Sequence, residues 1–202
     1  MSETKIKICG LKRPEDIECV NALHPDYIGF VFFSKSSRLV SEQQAAELRS
    51  KLDPAITVVG VFLENEFEEI VSLAKKGIID IVQVHGTKNR AMIEELRKEI
   101  TNPIIEAFSI DTQEDVLAAG ASKADYVLLD HGAGGGGQVF DWSLLDGIQR
   151  EFFLAGGLNP ENVENAVNRY KPFAVDVSSG VETDKVKDPD KIYDFITKVR
   201  AL

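Results

Sequence analysis

The stretch "FFLAGGLNPENVENAVNRYKPFAVDVSSGVE" covers residues 152–182. It opens on an apolar run (152–156), passes two glycines and an Asn159-Pro160 pair, and ends on a second apolar run (173–177) followed by Ser178, Ser179 and Gly180. Runs of this length, nearly continuous in apolar character and rich in aromatic and β-branched residues, read as strands covered on both faces. Asn159 followed by Pro160 predicts an N-cap and the first position of a helix. The stretch is therefore strand, helix, strand, the unit that builds a parallel sheet.

Working outward, the same alternation fills the chain. Earlier runs are "KIKIC" (5–9), "YIGFVFF" (27–33), "ITVVGVFL" (56–63), "IDIVQVH" (79–85), "PIIEAF" (103–108) and "DYVLLD" (125–130). Helix starts are expected between them. Ser41 with Gln44, Asn65 with Glu68, and Asp111 with Glu114 have capping-box spacing. Asp188-Pro189 opens a last helix over about 189–200, as a proline at the first helical position does. The segment 141–150 is the weakest helix candidate and is short enough for one turn. Strand then helix, eight times, predicts a single (βα)8 barrel over residues 1–202 with no linker to a second domain. A doubly wound open sheet is the competing fold, but no G-x-G-x-x-G follows the first strand.

A formal net charge of −10 argues against sequence-independent nucleic-acid binding, which needs a basic footprint. The opening "MSETKIKICG" has no apolar h-region, so no secretory signal is expected, and no apolar run approaches a membrane span. The two cysteines, Cys9 and Cys19, form neither a disulfide framework nor a metal-ligand spacing. A cytoplasmic setting and no metal are the expectations.

In such barrels chemistry sits at the C-terminal ends of the strands. "LAGGLNPENV" places Gly156 and Gly157 after strand 7, and "DVSSGVE" places Ser178, Ser179 and Gly180 after strand 8. Glycines let backbone N–H groups approach an anion, a helix N-terminus adds partial positive charge, and hydroxyls add donors. Two ordinary tight turns are the plain alternative, but their joint position predicts a phosphate site. Cys9 ends strand 1 at the mouth. A free thiol with pKa near ~8.5 is about 3% thiolate at pH 7, so a nearby cation or the field of a bound substrate would be needed to make it a ready base. The alternative is a small buried hydrophobe, as expected of Cys19. Asp130 ends strand 6 behind four apolar or aromatic residues, either as a loop cap or as an acid with a raised pKa. Arg38, in "SKSSRLV", is either a surface cation or a fork for a ligand carboxylate. His85 reads as a polar wall of the pocket. The four consecutive glycines 134–137 either close over a ligand or form a plain loop. Ring order places strands 7 and 8 between strand 6 and strand 1, so a phosphosugar anchored there would lie between Asp130 and Cys9.

"KICGL", "GFVFFSKSSR", "VQVHG", "LLDHGAGGGGQVFDW", "LAGGLNPENV" and "DVSSGVE" occur in the order, and over the span 7–182, that resembles the phosphoribosylanthranilate isomerase family of tryptophan biosynthesis. The resemblance implies a cofactor-independent Amadori rearrangement of a small phosphosugar, N-(5-phosphoribosyl)anthranilate. It implies Cys9 as general base, Asp130 as general acid, Arg38 on the anthranilate carboxylate, and Gly156, Gly157, Ser178, Ser179 and Gly180 on the phosphate. It implies a monomer or a homodimer and neither nucleic acid nor membrane as partner. Two departures stand out. The family often has proline where Ser37 stands, so a looser Arg38 and a higher KM are expected here. It usually has threonine within the glycines of the strand-6 loop, where this chain has Gly134 to Gly137. The related aminoaldose isomerase of histidine biosynthesis is expected to carry aspartate in place of Cys9. A non-catalytic phosphosugar sensor is the rival from another class.

Overall fold

A computed structural model describes residues 3–63, 67–85, 89–130, 142–146 and 148–202. Eight strands alternate with helices: β1 (Lys5–Cys9), α1 (Pro14–Leu23), β2 (Tyr27–Val31), α2 (Glu42–Arg49), β3 (Thr57–Phe62), α3 (Phe67–Lys75), β4 (Ile81–His85), α4 (Asn89–Glu99), β5 (Ile104–Ser109), α5 (Gln113–Gly120), β6 (Tyr126–Asp130), β7 (Phe152–Leu154), α6 (Val163–Tyr170) and β8 (Ala174–Val177). All pairings among them are parallel, and β8 pairs back onto β1, so the sheet closes. A hairpin, β9 (Glu182–Thr183) and β10 (Val186–Lys187), and a final helix, α7 (Pro189–Arg200), complete the described chain. The predicted barrel is therefore the fold.

Closure explains why the strands lack solvent-facing alternation. Two apolar clusters form, one between barrel and helices (Ile6, Ile8, Phe30, Val58, Val82, Leu129, Val175 among them) and one inside the barrel (Val31, Val59, Val61, Ile105, Leu128, Phe153). Each fully buried side chain of this size is worth about 1.5–3 kcal/mol. Tyr27, Tyr126, Phe153 and Phe173 fill the N-terminal end of the interior, with ring centroids 5.3–5.8 Å apart.

Three aspartates pin the register at that end. Asp26, Asp80 and Asp125 each stand just before an even-numbered strand and accept the N–H of Ile6, Val58 and Ile104 at the start of the preceding odd one, at 2.9, 2.7 and 2.8 Å. Arg49 clasps Asp80 from α2 with bonds of 2.6 and 3.0 Å.

Element ends depart from the sequence expectations for local reasons. Gly156 and Gly157, with φ of +81° and +70°, turn the chain out of β7 two residues before the predicted end. Between β6 and β7 the described residues hold one 3-10 turn, Trp142–Leu145, in place of an eighth helix. Ser41 caps α2 as predicted, accepting from the Gln44 N–H at 3.1 Å, but the Gln44 side chain bonds the Lys12 carbonyl instead of closing the box. The box on α5 is formed by Thr112 and Asp115, one residue beyond the predicted pair. Asn159 caps only a turn: its side chain accepts from Glu161 and Asn162, and α6 begins at Val163. Asp188 caps α7 as expected, taking the Asp190 and Lys191 N–H groups at 3.1 and 3.3 Å. Asn65, His131 and the glycines 134–137 lie outside the described residues.

Candidate active site

The strand ends converge on one mouth. A cavity of about 120 Å³ is lined by Cys9, Arg38, His85, Asp130, Asp176 and Ser178 together with apolar side chains including Val31, Phe33 and Val61. A smaller one of about 40 Å³ adjoins it, lined by Gly156, Gly157, Leu158 and Ser179. Asp130, Asp176 and Ser178 line both, so they form the boundary between them. The predicted catalytic pair thus faces one space, next to the two loops predicted to hold phosphate.

Cys9 is 8% exposed and ends β1 with its side chain toward the barrel axis. Its strand neighbour is Gly29, on which a Cβ would stand 2.6 Å from the Cys9 sulfur. The absent side chain is what gives the thiol its place. One pleat below, on the same face, Lys7 is fully buried and pairs with Asp176 across the β1–β8 seam, Nζ to Oδ2 3.0 Å. Burial raises the Cys9 pKa, the Lys7 charge opposes it, Asp176 adds to it and Lys187 opposes it; the net shift is upward. A cation, one of the two expected sources of activation, is therefore beside the thiol, yet desolvation outweighs it and the thiol stays protonated near neutrality.

His85 ends β4. Burial, and then the Lys7 charge, lower its pKa to about 4, so it is a neutral ring at pH 7. Its Nε2 lies 2.9 Å from the Gln83 amide nitrogen and accepts from it, which puts the ring proton on Nδ1. It lines the cavity, where the sequence places it as a polar wall. Gln83 Oε1 and Asp176 Oδ1 are buried and have no hydrogen-bond partner among the described residues.

Arg38 is not a free surface cation. Its Nε and Nη2 grip Glu182 at 2.7 and 2.8 Å, and Nη1 takes no part in that pair. Glu182 also receives Lys187 Nζ at 2.6 Å, and Lys187 donates to the Ser178 carbonyl at 2.8 Å. Burial works to raise the Glu182 pKa, but the bonds from Arg38 and Lys187 prevail and hold it below the usual carboxylate value. The loop after β2 is thereby tied to the β9–β10 hairpin. Ser178 Oγ donates to the Cys9 carbonyl at 3.1 Å, which ties the loop after β8 to the end of β1.

Gly180 is placed differently from Gly156, Gly157 and Ser179. It does not line either cavity; a Cβ on it would lie 1.9 Å from the Leu158 carbonyl oxygen. It lets the loops after β7 and β8 pack backbone to backbone.

Sequence reasoning missed Lys7, Asp176, Glu182 and Lys187. The alternation in "KIKIC" marks a strand without saying which face is covered, and in the closed barrel Lys7 and Cys9 face the interior. An opposite charge at the matching register of "FAVDV" was the available signal.

A family model described as N-(5'-phosphoribosyl)anthranilate (PRA) isomerase matches residues 6–198. The chain is 43% identical over 202 residues to the N-(5'-phosphoribosyl)anthranilate isomerase of Endomicrobium trichonymphae, covering 98% of this chain and 99% of that one. It is similar to a crystal structure of mutually generated monomers of the dimeric enzyme from Thermotoga maritima, with TM-score 0.87, 36% identity and coverage of 98% and 100%. It is equally similar to a PRA isomerase in complex with reduced 1-(o-carboxyphenylamino)-1-deoxyribulose 5-phosphate, with TM-score 0.86, 36% identity and the same coverage. Fold and sequence agree over nearly the whole length: the chain belongs to the N-(5'-phosphoribosyl)anthranilate isomerase family.

Proposed function

We propose that this chain catalyses the Amadori rearrangement of N-(5-phosphoribosyl)anthranilate to 1-(o-carboxyphenylamino)-1-deoxyribulose 5-phosphate in cytoplasmic tryptophan biosynthesis, by acid–base chemistry without a cofactor. The observation that carries the reading is that Cys9 and Asp130 line one cavity, which adjoins a second formed by Gly156, Gly157 and Ser179.

The phosphate rests in the smaller cavity and the ribose reaches into the larger. Asp130, protonated, gives its proton to the ring oxygen as the C1′–O bond breaks, and the aniline nitrogen supplies the electron pair that forms the iminium. With the iminium beside the sulfur, the Cys9 thiol gives its own proton to solvent, and the resulting thiolate removes the acidified C2′ proton to give an enolamine. Ketonisation returns the enol proton to Asp130 and the proton held on sulfur to C1′; the thiolate then recovers a proton from solvent, so both groups are restored. Each positioned acid or base contributes roughly 10²–10⁴ in rate. The Nη1 edge of Arg38 takes the anthranilate carboxylate. The raised thiol pKa makes the iminium part of the mechanism, since a cation beside the sulfur favours the thiolate when it is needed. A monomer or a homodimer carries out this reaction; sedimentation tells which.

The test is turnover of freshly made phosphoribosylanthranilate without added metal. Wild type is expected to consume it; Cys9→Ala and Asp130→Ala, folded by circular dichroism, are expected to lose at least about a hundredfold in kcat. Inactive wild type, or both variants at wild-type rate, would overturn the reading.

A further inference from the structure

The buried pair beneath Cys9 has no evident structural purpose. Lys7 is fully buried and Asp176 nearly so, and such a pair, in a barrel interior that is mostly apolar, is often no more stabilising than apolar side chains of the same volume. Asp176 also keeps Oδ1 without a partner among the described residues. A charge pair retained at that cost, one pleat below the sulfur, points to chemistry.

We propose that Lys7 is a positioning residue for Cys9: its ammonium, pinned by Asp176 at the floor of the cavity, holds the negative charge of the sulfur when the thiol gives up its proton.

The geometry leaves little freedom for another arrangement. Lys7 and Cys9 share the inner face of β1, and Lys7 stands opposite Asp176 in the β1–β8 register. The missing side chain of Gly29 leaves the room that the sulfur occupies. Around this hub lie Asp176 from β8, neutral His85 from β4, Lys187 from the β9–β10 hairpin, and Arg38 and Asp130 on the cavity wall. Of the charges acting on the thiol, that of Lys7 opposes burial most and Asp176 works the other way. Burial works to lower the pKa of Lys7, but Asp176 and Cys9 outweigh it and the ammonium stays charged. The pair therefore delivers a fixed cation whose strength Asp176 moderates.

This rests on the reading of Cys9 as the base, yet its test needs no substrate, so a failure of that reading shows in turnover of Cys9→Ala and not here. Alkylation of Cys9 by iodoacetamide is followed from pH 6 to 10 by peptide mass spectrometry, which separates it from Cys19. Lys7→Met is expected to move the thiol titration upward and slow alkylation at pH 7.5 by about tenfold, the effect of a one-unit shift. Asp176→Asn is expected to move it downward and speed alkylation. Both substitutions break the same ion pair, so a bridge that serves only folding would shift both in one direction or neither. Should Lys7→Met fail to fold, the Lys7→Met/Asp176→Asn double variant replaces the pair with neutral groups; it is expected to alkylate about tenfold more slowly than Asp176→Asn alone. Shifts in the same direction, no shift on losing Lys7, or a double variant as fast as the single one would overturn the proposal.

Discussion

Gly29 and Cys9 face each other across the β1–β2 pairing so closely that any side chain on Gly29 would displace the sulfur. The sulfur proposed as the base is thus located by a residue that has no chemistry of its own. Gly29→Ala is expected to retain the barrel, at an overpacking cost of about 1–3 kcal/mol in urea unfolding. kcat is expected to fall about a hundredfold with KM nearly unchanged, because misplacement of a reacting group by about an ångström has that effect. A variant with full kcat would show that the position of the sulfur does not matter.

Glu182 spends two oxygens on Arg38 and so fixes which edge of the guanidinium faces the cavity. In Glu182→Gln the paired fork is lost and Arg38 is free to turn. Steady-state kinetics should give a KM several-fold higher with kcat within about twofold, the pattern of lost uniform binding. Because the Glu182 pKa is depressed in the folded protein, its contribution to stability is present above the unfolded value near ~4.3 and is lost as pH falls through the folded one. The variant should show a flatter loss of stability below pH 4.

His85 gives the opposite end of that acid limb. Its folded pKa of about 4 lies below the unfolded value near ~6.5, so the unfolded chain binds the extra proton in between. Stability should therefore fall as pH drops from 6.5 toward 4, by up to about 3 kcal/mol. Urea unfolding of wild type and His85→Gln across this window checks it; parallel curves would refute the assignment of the slope to His85.

At the other end of the barrel, Asp80 serves folding alone. It holds the Val58 N–H and Arg49, far from the mouth. Asp80→Ala should cost about 2 kcal/mol by leaving a backbone donor and a cation without their partner, while kcat/KM stays at the wild-type value. Loss of activity without loss of stability would contradict that division between the two faces.

The frame was legible because burial on both sides leaves a simple mark: β2, β3 and β6 are apolar at nearly every position. Cys9, Arg38 and Asp130 were legible because strand ends can be counted, and the described mouth brings all three to one cavity. Lys7 was not, since a charge at every second position has the same pattern whether it faces water or a closed interior; only the partner on β8 distinguishes the two. Glu182 and Lys187 were hidden for another reason. Their partners, Arg38 and Ser178, become neighbours only after the hairpin folds back over the mouth. The turn at Trp142–Leu145 is the single turn that the short segment 141–150 left open as the alternative to a helix.

The close approach of Gly180 to the Leu158 carbonyl joins the loops after β7 and β8 into a single body. Their conformational freedom is surrendered when the protein folds, not when a ligand arrives. If these loops hold the phosphate as proposed, an incoming phosphate ester meets a finished seat, and its binding energy remains for bending the sugar toward the proposed acid and base.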